Sequence, residues 1–97
     1  MQKFIISPEA KIDLLEIQDY IANNNKDAAG FVIDSVFSAC RELAKYPMMG
    51  SKRTDLTSRE VRFWSVYSYL IIYEANNTKI SIVRVLSGYR DIANILQ

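Results

Sequence analysis

Eight residues near the C-terminus, Arg84 to Asp91, hold much of the chemistry this chain offers. Arg84 sits inside an apolar run, Lys79 to Leu86, that reads as a strand. A guanidinium among Ile and Val is costly unless something pairs with it. The strand then runs into Ser87, Gly88, Tyr89, Arg90 and Asp91, which places polar groups at the edge of a sheet. Arginine suits bidentate pairing with a carboxylate or another anion, so two readings of Arg84 stand side by side. It contacts an anionic group or carboxylate on a partner, or it forms an internal ion pair with Glu60, Glu74 or Asp91. Arg90 and Asp91 read as a local pair or as charges at a helix start. Arg62 is in phase with Glu60 and Trp64 on its own strand, and it joins Arg84 and Arg90 in a basic cluster if the strands align.

The residue types that are absent narrow this chemistry. The chain has no histidine, which excludes Ser-His and Cys-His nucleophiles and any His-based metal site. One cysteine, Cys40, forms no thiolate cluster and no intramolecular disulfide, and it suits a reducing compartment. The three glycines, Gly30, Gly50 and Gly88, lie too far apart for a phosphate-cradling loop. No metal and no cofactor is expected, and any reaction would rest on Arg, Lys, Tyr and carboxylates. The net charge of +1 gives no global basic field for nucleic acid. No apolar stretch approaches the length of a membrane span, so no membrane contact is expected and the expected location is cytoplasmic.

These side chains need elements to position them. With 97 residues the chain reads as one domain, residues 1–97. Phe4 to Ile6 read as a short strand. Ser7 is then an N-cap and Pro8 occupies the first helical position, where its missing N–H costs nothing. Ala10, Leu14, Ile17 and Ile21 repeat at helical spacing, with Lys11, Asp13, Glu16 and Asp19 placed elsewhere on the wheel. Asn23-Asn24-Asn25 ends that helix, and Asn25 caps a second one from Lys26. Its stripe is Ala29, Ile33, Val36, Cys40 and Leu43, widened by Phe37 and Ala44. Pro47 stops it, and residues 48–58 read as a loop in which Lys52, Arg53 and Arg59 form a solvated face. Strands follow around Val61 and Phe63, over Tyr69–Glu74, and over Ile80–Leu86, with Asn76-Asn77-Thr78 as a hairpin turn. Ile92, Ile95 and Leu96 suffice for one or two closing helical turns.

The order strand, helix, helix, strand, strand, strand predicts an α+β domain, a helical hairpin packed on one face of a mainly antiparallel sheet, with a short C-terminal helix. Simple alternation puts Ile80, Ile82 and Leu86 on one face of the last strand and Val83 and Val85 on the other. Both faces are therefore apolar, and the hairpin covers only one. The short C-terminal helix or a second protein must cover the other.

Four stretches, in this order, carry a family resemblance. They are Ser7-Pro8-Glu9-Ala10 with Asp13, Leu14 and Ile17; Leu43, Pro47 and Gly50 with Arg53, Asp55 and Leu56; Tyr69-Leu70-Ile71-Ile72-Tyr73; and Arg84-Val85-Leu86-Ser87-Gly88-Tyr89-Arg90-Asp91. Nearly end to end, the chain resembles the RelE/ParE superfamily of bacterial toxins, and its terminal Arg-Val-Leu, Gly and Arg-Asp pattern is similar to the ParE branch. Many relatives carry His where Ser87 stands and a small residue where Tyr89 stands.

The resemblance implies the toxin of a type II toxin–antitoxin pair, held in a hetero-oligomer by a cognate antitoxin and acting on DNA gyrase without being an enzyme. It implies target contacts at Arg84, Tyr89, Arg90 and Asp91. It implies antitoxin contacts at Phe63, Trp64, Val83, Val85, Ile92 and Ile95. The alternative within the superfamily is a RelE-like endonuclease that cleaves messenger RNA on the ribosome, using Arg62, Arg84 and Tyr89. That role needs the arginines clustered on a phosphorane and a tyrosine pKa well below ~10. A third alternative is an inactive member that only binds antitoxin as a corepressor. Phe63, Trp64, Tyr67 and Tyr69 are candidates for stacking on bases, although aromatics at strand spacing usually form core or interface.

Overall fold

The computed structural model describes residues 3–96. The elements are β1 (Lys3–Ile6), α1 (Pro8–Ala22), α2 (Lys26–Lys45), β2 (Arg62–Val66), β3 (Tyr69–Ala75), β4 (Lys79–Ser87) and α3 (Ile92–Ile95). The expected order and α+β class are therefore what the chain adopts. Both helix starts follow from local chemistry. The Ser7 hydroxyl accepts the Ala10 N–H at 3.0 Å with Pro8 at the first turn, and Asn25 Oδ1 accepts the Ala28 N–H at 3.1 Å. Such caps satisfy backbone donors that the helix itself leaves open.

The four strands form one mixed sheet in the order β1-β4-β3-β2. β1 runs parallel to β4, while β4–β3 and β3–β2 are antiparallel. The β3–β4 ladder is irregular: Ile72 pairs with Arg84, whereas Tyr73 pairs with Ile82. Val83 is the extra residue, and a bulge of this kind reverses the inward–outward alternation beyond it. The simple alternation expected for β4 is corrected accordingly. Val85 joins Ile80 and Ile82 on the helix face, and Leu86 joins Val83 on the opposite face.

Each face has its own core. Against the first pack Ala10, Leu14 and Ile17 of α1 and Val36, Cys40, Leu43 and Ala44 of α2, over Ile71, Tyr73, Ile80, Ile82 and Val85. On the second, Val61, Phe63, Ile72 and Leu86 meet Ile92 and Leu96, with Leu56 and Ile95 at the margin. Of the two covers anticipated for that face, the chain supplies its own. α3 and the segment before β2 close over it, and an ion pair from Arg59 to Glu74 at 3.6 Å lies at its margin.

Candidate functional site

The site is built where β1 gives way to α1. β1 ends at Ile6, so β4 beyond Ile82 has no strand partner on that side. Unpaired backbone groups at a buried edge are costly, and backbone and side-chain groups at the start of α1 take the place of the strand. The Ser7 N–H donates to Ile82 O at 3.0 Å, and the Ser7 hydroxyl donates to Val83 O at 2.8 Å. Asp13 Oδ2 accepts the Val85 N–H at 3.0 Å.

The same carboxylate receives Arg84 through Nε at 2.7 Å and Nη2 at 2.8 Å. Asp13 is 3% exposed and the Arg84 side chain 24%, so a buried carboxylate holds a half-buried guanidinium in a bidentate ion pair. The hydrogen bonds to Asp13 hold the Arg84 guanidinium above its usual pKa, against the desolvation that opposes its charge, and Asp13, Glu9 and Glu16 add Coulombic support. The partners expected for an internal pair, Glu60, Glu74 and Asp91, are not the one found. Asp13 also lies on the buried face of its helix, contrary to the expectation that sets it off the apolar stripe. Ala10, Asp13, Leu14 and Ile17 are the buried residues of α1, at spacings of three, four and seven. A carboxylate in phase with the apolar stripe was the available signal.

Next to this pair, between α1 and the end of the sheet, lies a hollow of about 480 Å³. Buried Ile17 and Val85 form its base, Tyr20 and Tyr89 its rim, and Glu16 and Arg90 add charge. Tyr20 is 71% exposed and Tyr89 90% exposed, so neither contributes much to the core. A second hollow of about 250 Å³ opens at the β2–β3 turn, and Ser68, Tyr69 and Tyr89 line both. That turn is held to the end of β4 by the Gly88 N–H, which donates to Ser68 O at 2.8 Å. Tyr67 lies in the turn with φ 54°, the one positive-φ residue other than glycine among the described residues. A left-handed conformation costs an L-residue about 1 kcal/mol or more.

The other expected site residues are dispersed. Arg62 pairs with Tyr73 across the sheet, and Ser87, just before Tyr89, pairs with Tyr69. Four strand positions along β3 separate those rows, roughly 13 Å. Arg62 instead donates through Nη1 to Gly50 O at 2.7 Å. The structure therefore does not gather Arg62, Arg84 and Tyr89 into one cluster. Phe63, Val85 and Ile92 are interior residues of the chain's own cores, whereas Trp64, Val83 and Ile95 are half-buried. Tyr89, Arg90 and Asp91 are exposed, and Asp91 accepts from Asn94 Nδ2 rather than pairing with Arg90. Of the aromatics considered for stacking, Phe63 is core, Trp64 and Tyr69 are half-buried, and Tyr67 is exposed. Lys52, Arg53 and Arg59 are exposed as expected, each with an acidic partner. Among the described residues no group of three or more His, Cys, Asp or Glu is placed to hold a metal ion, and no helix is long and apolar enough to cross a membrane. Asp13 and Tyr20 are the site residues that reading the sequence missed.

The sequence model of the family described as "ParE toxin of type II toxin-antitoxin system, parDE" matches residues 4–92. The chain belongs to the ParE toxin family. This ParE-family chain is 28% identical over 76 residues to Toxin ParE3 of Caulobacter vibrioides, covering 78% of this chain and 75% of that protein. Its fold is that of a solved structure described as the chromosomal ParDE TA system from P. aeruginosa. The TM-score is 0.72 at 18% identity, covering 90% of this chain and 95% of the other. Membership implies an antitoxin partner for this ParE-family toxin, and the RelE/ParE resemblance resolves to its ParE branch.

Proposed function

We propose that this ParE-family toxin works in the cytoplasm by binding DNA gyrase, with no reaction of its own, and that its antitoxin neutralises it by filling the hollow beside α1. The observation that carries this reading is the character of that hollow. It has an apolar base and a rim of exposed tyrosines, the composition of a protein-docking site rather than of a phosphate-binding one. The two arginines that a nuclease would need are instead occupied, Arg62 by Gly50 O and Arg84 by Asp13. Tyr89, Arg90 and Asp91 supply exposed contacts for the target, with Arg84 and Asp13 shaping the wall behind them. Tyr20 and Tyr69 supply the anchors for the antitoxin, and the open parts of Trp64, Val83 and Ile95 extend its contact area.

The test is DNA supercoiling by purified gyrase in the presence of the purified chain. Supercoiling falls with added toxin, recovers when antitoxin is added, and cellular transcripts stay intact. Ribosome-dependent cleavage of transcripts that Tyr89→Phe abolishes would overturn the reading in favour of an endonuclease. Harmless expression without antitoxin would leave only the corepressor role.

A further inference from the structure

We propose that the β2–β3 turn is a second contact surface, adjoining the hollow beside α1, at which Tyr67 and Tyr89 grip an apolar side chain presented by the toxin's protein target. This rests on the toxin reading above. The first support is the strain at Tyr67. A two-residue hairpin turn with a left-handed position is relaxed by glycine or asparagine, yet here that position carries a tyrosine that is 67% exposed and packs into neither core. Neither core draws on this side chain. Exposed, rigid aromatics are the side chains that dominate binding energy at protein interfaces.

The second support is the composition of the smaller hollow. It is lined by two serines, three tyrosines, Leu70 and Gly88, with no charged side chain. A phosphate backbone is held by cations, and Arg90 lines the larger hollow instead. The neutral lining fits an apolar residue on a protein surface and not a nucleic acid. The third support is the shared wall of Ser68, Tyr69 and Tyr89. An antitoxin seated in the larger hollow engages Tyr89 and takes it from the smaller one, so neutralisation follows from competition for one side chain. Tyr67 belongs to the target surface alone.

The experiment compares wild type with Tyr67→Gly, Tyr67→Phe and Tyr89→Ala. Growth arrest on expression without antitoxin reads the target surface, calorimetry with purified antitoxin reads the other, and thermal unfolding checks the fold. Tyr67→Gly keeps the melting temperature and antitoxin affinity of wild type while growth arrest weakens roughly tenfold or more. Tyr67→Phe retains arrest, and Tyr89→Ala weakens both readouts. Arrest by Tyr67→Gly equal to wild type would overturn the proposal, as would a parallel loss of antitoxin affinity. Gyrase supercoiling is followed alongside. Wild type that arrests growth and leaves gyrase untouched overturns the target named above, and the Tyr67→Gly comparison still decides this surface.

Discussion

Tyrosine serves opposite purposes at the two ends of this sheet. Towards the β3–β4 turn, Tyr73 is fully buried, its hydroxyl donating to Pro47 O at 2.7 Å and accepting the Gly50 N–H at 2.9 Å. Burial pushes its pKa up, so it stays neutral and locked. A Cβ on Gly50 would come within 2.5 Å of that hydroxyl, so only glycine lets the loop approach so closely. At the other end, Tyr20, Tyr67 and Tyr89 face water around two hollows. The closed end positions the exit of α2 against β3. The open end carries aromatic surface that neither core uses, and the proposed partner contacts rest on that surface.

The contrast is tested most severely at the base of the open end. Asp13→Ala leaves the Arg84 guanidinium and the Val85 N–H without their carboxylate, and the expected loss of stability is about 3–5 kcal/mol in urea unfolding. A loss below about 1 kcal/mol would mean that the pair only decorates the site. At the closed end, Tyr73→Phe strands the Gly50 N–H and the Pro47 carbonyl, with an expected loss of about 1–3 kcal/mol. By comparison Tyr67→Gly should leave stability unchanged within about 0.5 kcal/mol, because relief of the left-handed strain offsets the added freedom of the unfolded chain. If Tyr67→Gly costs as much as Tyr73→Phe, the two ends do not differ in kind.

The smallest effect at neutral pH is expected at Cys40, whose thiol burial pushes up to about 12 from 9.0. A raised thiol pKa stabilises the fold fully below the unfolded value. That contribution is lost as pH rises from 9.0 towards about 12. Alkylation of the native protein by iodoacetamide is therefore very slow near pH 7. Stability is insensitive to this group from pH 6 to 8 and declines above pH 9, and Cys40→Ala makes the decline shallower, leaving the part that belongs to buried Tyr73.

Much of the scaffold was readable along the chain. Ser7, Pro8 and Asn25 announced both helix starts, and Pro47 the end of α2, because capping and proline sterics act within a few residues. The need for Arg84 to have a partner was equally visible, since it follows from charge in an apolar run. The identity of that partner was not, because Asp13 lies 71 residues away and meets Arg84 only where α1 crosses the edge of β4. Alternation also failed beyond Val83, where a bulge that no local residue announces turned Val85 and Leu86 to the opposite faces. That misreading put Val85 on the face away from the helices, whereas it lies on the helix face at the base of the larger hollow.

By itself, then, the sequence determined the elements, their order, the family and the obligation to neutralise one arginine set in an apolar strand. Periodicity, capping and desolvation are properties of short stretches and need no distant partner. Tertiary structure alone decided which carboxylate meets Arg84, which face each residue of β4 takes after the bulge, and which tyrosines are locked or left in water. Those outcomes depend on β1 stopping at Ile6 and on α3 closing over the second face, and both are contacts between segments far apart in the chain.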